Sequence, residues 1–281
     1  MNGQHLPNWK LPTGVSRATW DYLQSEHIAS EYDSYFADSP LMRLDMQVLR
    51  SRLPPAAGAD KSTRAIVVAD LGCGTGRVAR ELLPLGYHLI NVDLSPAMLR
   101  EVAAKVPTEF QARNRCISAN LVDLASVVEP HSIDWCVCLF SSLGMIRGRE
   151  NRRRFLAGVR QVLKPQGAFF VHVHNRYRSL RDPGGPGWLL RSRLASWWQR
   201  DAEFGDRVYS YRRLPKMFLH IYSRHELTAD LRASGFKEIE LLPITPPGDE
   251  LLPHPHWLPS LRAGGYFAVA RSPGAAQLRS P

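Results

Sequence analysis

The run Val67-Val68-Ala69-Asp70-Leu71-Gly72-Cys73-Gly74-Thr75-Gly76-Arg77 constrains the fold more than any other part of the chain. Its apolar start fits a buried strand, its alternate glycines fit a tight turn, and the residues after Gly76 open an amphipathic helix. Glycine tolerates positive φ and has no Cβ, so the main chain at such a turn can lie directly against a ligand. The following helix presents N–H groups at the carboxyl end of the strand, where open α/β sheets hold nucleotide-like ligands. The spacing is informative. A dinucleotide fingerprint, G-x-G-x-x-G, requires glycine at position 77. Arg77 stands there, and the third glycine comes one residue early.

From residue 65 onward, apolar strands alternate with amphipathic helices, which predicts a parallel sheet covered on both faces. Strands are expected at 65–71, 88–93, 114–119, 133–140 and 167–174, and helices at 76–85, 96–105 and 149–163. The alternation then lapses over 175–222. That stretch contains Pro183-Gly184-Gly185-Pro186-Gly187 and tryptophans at 188, 197 and 198. A segment of that length inside a compact domain is usually functional or has structure of its own. It reads as a cap over the substrate, with a short helix near 188–200. A helix at 224–234, a strand at 236–242, a proline-rich excursion at 243–260 and a strand at 264–271 complete the pattern. Ahead of the core lie a polar tail over 1–15, a helical region over 17–53 broken at Ser39-Pro40, and a linker over 54–62. The expected organisation is a tail and helical lid (1–60), a ligand-binding core (61–174), a cap (175–222) and a C-terminal part of the core (223–281).

The net charge of +10 is regional. Residues 147–213 hold 15 Arg and 1 Lys against 5 acids, a charge of +11, and the rest of the chain is close to neutral. Such a region attracts nucleic acid, anionic lipid or an acidic substrate, or is a solvated arginine-rich surface. No apolar run approaches the roughly 18 residues needed to cross a bilayer, and no secretory leader is evident, so a cytoplasmic protein without a membrane partner is expected. Cys73, Cys116, Cys136 and Cys138 read as reduced thiols, and no metal site is expected.

The pattern hh-D-hG-x-G-x-G, with h apolar, resembles motif I of class I S-adenosylmethionine-dependent methyltransferases of the type 11 and type 25 kind. The resemblance implies a Rossmann-like, seven-stranded, mostly parallel sheet with helices on both faces and an antiparallel last strand. A helical N-terminal lid and an insertion after strand 5 complete it. S-adenosylmethionine is the implied cofactor, leaving as S-adenosylhomocysteine. Gly72, Cys73, Gly74, Thr75 and Gly76 would face its methionine part, and Asp70 would support the turn and the amino group. Asp93, 21 positions after Gly72 and followed by Leu94, would hold the ribose hydroxyls, unless Asp93 or Ser95 serves only as a helix cap. Met98 and Leu121 would pack near adenine. Asn120 stands where the family has an acid, with Asp123 as a rival, and Phe140 would wall the methyl group.

Methyl transfer is an in-line displacement needing alignment and, for some acceptors, a base. His174, at the end of the fifth strand on the same side as His172, is the candidate base. Tyr32, followed by Asp33, resembles the Tyr-Asp segment of the family's lid. Arg176, Arg178, Arg181, Arg212 and Arg213 suit an anionic group. The expected acceptor is a small anionic or aromatic molecule. RNA, bound through the arginine-rich 147–213 face, is the alternative, and a third is a cofactor-binding protein without catalysis.

Overall fold

The computed structural model describes residues 6–56, 64–211 and 214–274. Three helices come first: α1 (Arg17–Leu23), α2 (Glu26–Tyr35) and α3 (Pro40–Arg52). Each starts on a serine whose hydroxyl accepts a backbone N–H of the first turn, and Ser39-Pro40 is such a start. The core follows as β1 (Val67–Leu71), α4 (Arg77–Leu82), β2 (His88–Asp93), α5 (Pro96–Lys105), β3 (Asn114–Ser118), β4 (Ile133–Cys138), α6 (Ser142–Met145), α7 (Arg149–Val162) and β5 (Leu163–His174). The insertion carries α8 (Gly185–Trp198) and a hairpin of β6 (Asp206–Tyr211) and β7 (Leu214–His220). The chain closes with α9 (Arg224–Ala233), β8 (Glu238–Ile244), α10 (Pro259–Arg262) and β9 (Gly265–Arg271).

Seven strands form one sheet in the order β3-β2-β1-β4-β5-β9-β8. β9 runs antiparallel to both β5 and β8, and the other neighbours are parallel. This is the predicted topology. It arises because the central strands, β1, β4, β5 and β9, are largely buried on both sides and need cover on both faces, whereas the edge strands β3 and β8 are partly exposed. Phe155, Leu156 and Val159 of α7 and Leu227 and Leu231 of α9 close one face. Leu44, Val48 and Leu49 of α3 and Val78, Ala79 and Leu82 of α4 close the other.

Three local expectations changed. β5 begins at Leu163 rather than 167, with a register irregularity against β4 between Ile133 and Trp135 that absorbs the Lys164-Pro165 turn. The insertion contains a hairpin as well as the expected helix, because Val208, Met217 and Phe218 lie in runs that alternate at strand period. From residue 6 the tail is held rather than loose: Arg147 N–H donates to Gly14 O at 2.8 Å and the Asn120 amide donates to Thr13 O at 2.9 Å. Residues 1–5 of the tail and 57–63 of the linker lie outside the described residues. Among the described residues no helix is long and apolar enough to cross a membrane.

Candidate active site

Gly72, Gly74 and Gly76 all have positive φ. At Gly76 (φ +81°) a Cβ would also stand 3.0 Å from the Val102 side chain, so the early third glycine lets α4 start close against α5. At Gly74 the space where a Cβ would lie is open but for Tyr32, 3.9 Å away. The turn is tied to β2 by Gly72 N–H to Val92 O at 2.8 Å and by Gly74 N–H to Asp93 Oδ2 at 3.0 Å. Asp93 Oδ1 accepts Ser95 N–H at 2.8 Å, while Ser95 Oγ accepts Met98 N–H at 3.3 Å and so caps α5. The Asp93 carboxylate is thus held by backbone N–H groups of Gly74 and Ser95, with Leu94 N–H adding to them. Burial raises the Asp93 carboxyl above its ordinary value. Burial also pushes Asp70 up to about 7, with Arg77 opposing the shift and Asp93 adding to it.

Two cavities meet at this turn. The first is lined by Gly72, Gly74, Asp93, Leu94, Met98, Asn120, Leu121, Phe140, Tyr32 and His174, uniting most of the predicted residues. The second, beside α3 and α4, is lined by Asp70, Cys73 and Thr75 together with Arg43, Arg50, Arg77 and Arg80. Gly76 lines neither cavity, and its N–H donates to Cys73 O at 3.1 Å. Asn120 Oδ1 accepts Val122 N–H at 3.2 Å while its amide nitrogen holds Thr13, so both ends of the side chain have partners. Asp123 is paired with Arg154 at 2.7 Å and lines neither cavity.

The lid helix α2 is pinned to the turn by Asp33, which accepts from Thr75 Oγ1 and lies 2.9 Å from Arg80 and 3.1 Å from Lys105. Burial favours its neutral form, but these three partners outweigh that and hold its carboxyl below the usual range. Tyr32 packs 4.9 Å from Phe36, and Phe36 packs edge-on 4.9 Å from Phe140. Phe140 and Ser141 both have positive φ, at +52° and +65°. That conformation is costly for a bulky side chain and turns Phe140 into the cavity.

His174 ends β5 at the cavity wall. Burial, His172 and Arg178 push its imidazole down to about 3, with Asp45 opposing, so the ring is neutral at physiological pH. Behind it, the fully buried His172 Nδ1 lies 3.1 Å from Asp45 Oδ2, which places the ring proton on Nδ1. Asp45 itself lies 3.7 Å from Arg77. The two histidine rings stand edge to face at 5.5 Å.

Several lining residues escaped sequence reasoning: Thr13, Gly14 and Val15 of the tail, Tyr22 of α1, and Tyr209, Met217 and Leu219 of the hairpin. Which of the hairpin residues face inward depends on its register, which pairs Tyr209 with Met217 and Arg207 with Leu219. Conversely, the expected arginine cluster is not at the cavity. Arg176 is buried, pairs with Glu226 and stacks 4.3 Å over Phe204, and burial lowers its pKa to about 10. Arg178 and Arg181 line neither cavity, and Arg212 and Arg213 lie outside the described residues. Glu203, His220 and Glu226 stand close enough to share a metal ion, but Arg149, Arg152 and Arg176 already engage the two carboxylates and His220 bridges Asp206 and Glu226. This is an ion network that fastens the insertion to α7 and α9.

Comparison with known proteins follows this geometry. Residues 68–167 match the model of a family described as a methyltransferase domain. A provisionally named methyltransferase of Geobacillus sp. (strain WCH70) is 30% identical over 112 residues, which is 40% of this chain. That match spans 43% of the relative's own length. An S-adenosylmethionine-dependent methyltransferase of Methanosarcina mazei superposes with a TM-score of 0.59 at 17% identity, covering 81% of this chain and 97% of its own. The 1,6-didemethyltoxoflavin-N1-methyltransferase of Burkholderia thailandensis, solved with 1,6-didemethyltoxoflavin and S-adenosylhomocysteine, gives 0.55 at 18% identity, covering 94% and 93%. A chain of the complex containing the Haloferax volcanii Trm112 methyltransferase activator gives 0.58 at 17% identity, covering 88% and 97%. At such identities the likeness is one of fold.

Proposed function

We propose that the chain, whose residues 68–167 match a methyltransferase-domain family and whose fold is that of S-adenosylmethionine-dependent methyltransferases, methylates an apolar or aromatic small molecule held between the N-terminal helices and the insertion. The observation that carries this reading is the lining of the first cavity. It runs from the Gly72–Gly74 turn and Asp93 to His174 through Tyr22, Phe36, Phe140, Met145, Tyr209, Met217 and Leu219, with no Arg or Lys among the described lining residues. An anionic acceptor would meet no cation there, so the aromatic half of the sequence expectation is the one favoured. The Burkholderia thailandensis enzyme, solved with 1,6-didemethyltoxoflavin, is a neighbour of the same fold that holds a small molecule.

The residues fit the cofactor. Asp93 brings a carboxylate to the first cavity for a vicinal diol, the open face at Gly74 admits a ligand against the main chain, and Asp70 supplies negative charge beside the turn. S-adenosylmethionine, held there, supplies a methyl group on a positively charged sulfur. Tyr32, Phe36 and Phe140 place aromatic surface over that position, which favours positive charge and excludes water. His174, neutral, accepts a hydrogen bond from an N–H or O–H of the acceptor and aims that atom's lone pair. So weak a base takes the proton only after the atom has gained its methyl group and become acidic. His172, held by Asp45, sets the environment of the His174 ring.

An RNA acceptor is less well supported. An RNA acceptor needs phosphate-binding cations around the acceptor site, whereas no Arg or Lys is among the described residues lining the first cavity, and Arg149, Arg152, Arg153, Arg154 and Arg176 are paired with Glu203, Glu226, Asp230 and Asp123. The deciding experiment is transfer of labelled methyl to cell extract separated into small molecules, RNA and protein. Label in a chloroform-extractable or aromatic small-molecule fraction is the expected outcome. Label confined to RNA or protein overturns the acceptor assignment.

A further inference from the structure

Helix α8 carries an apolar face that the fold leaves in water. Leu190 is 62% exposed, Leu194 41%, Trp197 66% and Trp198 83%. Their spacing puts all four on one side of the helix. The opposite side is seated on the protein: Leu189 and Ser192 are buried, and Ser192 Oγ accepts Gly205 N–H at 3.1 Å. Arg193, whose guanidinium lies over the Trp197 ring at 5.2 Å, flanks the exposed face on one side and Arg191 on the other, Arg200 follows just past the helix end, and no acid occurs between Gly184 and Asp201. Arg207 over the Trp188 ring at 5.3 Å fastens the hairpin to α8.

We propose that this face docks the protein onto an anionic lipid bilayer. Tryptophans and leucines in one stripe between arginines suit the boundary between acyl chains and headgroups, with the arginines reaching the phosphates. A second copy of the chain fits poorly, because a two-fold contact through this face would bring six arginines together without an acid. RNA would use the Trp197 and Trp198 rings but leave Leu190 and Leu194 in water, and the test below separates the two. The groove beside the face is lined by Arg193, Trp197, Arg200 and Phe204 and shares Gly14 and Val15 with the acceptor cavity, so docking would bring the tail side of that cavity to the membrane. The sequence expectation of no membrane partner rested on the lack of a spanning segment, and interfacial docking needs none.

The test is flotation of the full chain with vesicles of phosphatidylglycerol and phosphatidylcholine, or of phosphatidylcholine alone, with tryptophan emission recorded. It reads partitioning rather than turnover, so it is independent of the methyl acceptor. The expected result is at least tenfold stronger binding to the anionic vesicles, with blue-shifted emission. The double variant Trp197→Ala/Trp198→Ala should bind at least tenfold more weakly. The triple variant Arg191→Gln/Arg193→Gln/Arg200→Gln should lose on the order of a hundredfold, at about fivefold per arginine. Both variants should bind S-adenosylmethionine as the wild type does, which shows that they are folded. Equal partitioning of wild type and variants, or no binding to anionic vesicles, overturns the proposal. So does a dimer abolished by the tryptophan variant without vesicle binding, or tight binding to poly(U) with none to vesicles.

Discussion

Asp70, 3% exposed at the end of β1, is held by the unliganded fold against its chemical preference. Burial raises its carboxyl from 3.8 to about 7. A carboxyl with a raised pKa binds its proton more tightly in the folded chain, so its effect on stability is most favourable at low pH and declines as pH rises through the folded-state value. At about 1.4 kcal/mol per pH unit, stability is lower by about 2 kcal/mol at pH 5, where only the unfolded chain has ionised the group, and by about 4 kcal/mol above pH 7, where the buried carboxyl is ionised too. Asp70→Asn should therefore make the unliganded protein more stable, by an amount that approaches these figures and grows between pH 5 and pH 7.5. Urea unfolding of the two proteins at both pH values reads the difference. Cofactor binding should move the other way. An ammonium group beside Asp70 favours the ionised form, so wild-type affinity is full above about pH 7 and falls by up to about tenfold per unit below it. The asparagine variant should bind more weakly at pH 7.5, with little change down to pH 5.5. Calorimetry in two buffers of different ionisation enthalpy should show proton release by the wild type at pH 6 and little by the variant. If the variant proves less stable at pH 7.5, or wild-type affinity is the same at pH 7.5 and 5.5, the account of Asp70 is wrong.

Asp93→Ala removes the acceptor for Gly74 N–H as well as the diol contact, so equilibrium dialysis should show cofactor affinity lower by about 100-fold or more, at about 1.5–3 kcal/mol per charged hydrogen bond. Unchanged affinity would refute the diol assignment. His174→Ala should lower kcat by about 100-fold and leave cofactor affinity within about twofold; equal loss of both, or of neither, would count against its role at the acceptor. Gly76→Ala meets both a left-handed backbone and the Val102 side chain at 3.0 Å, and chemical denaturation should show a loss of about 1–3 kcal/mol. A neutral result there would mean that α4 shifts freely against α5.

The sequence by itself determined the kind of sheet and named half of the candidate site. A mostly parallel sheet covered on both faces follows from alternating apolar strands and amphipathic helices, while the order of its strands came with the structure. The donor side, Asp70 through Gly76 and Asp93, is legible because these residues lie within a strand or two of each other and their chemistry depends on local geometry. Where that reading faltered, the cause was tertiary. Gly76 shows why: its N–H is taken by Cys73 O, so spacing alone overstated its contact. Arg176 looked like a ligand for an anion until folding placed it against Glu226 and Phe204. The acceptor side was decided only by the tertiary structure. It joins Gly14 and Val15 of the tail, Tyr22 of α1, Phe140 in a strained turn, His174 of β5 and Leu219 of the hairpin, residues up to two hundred positions apart. No local periodicity records such a meeting, because it depends on how separate elements pack, and that packing sets which side chains face the cavity and which are used to hold it together.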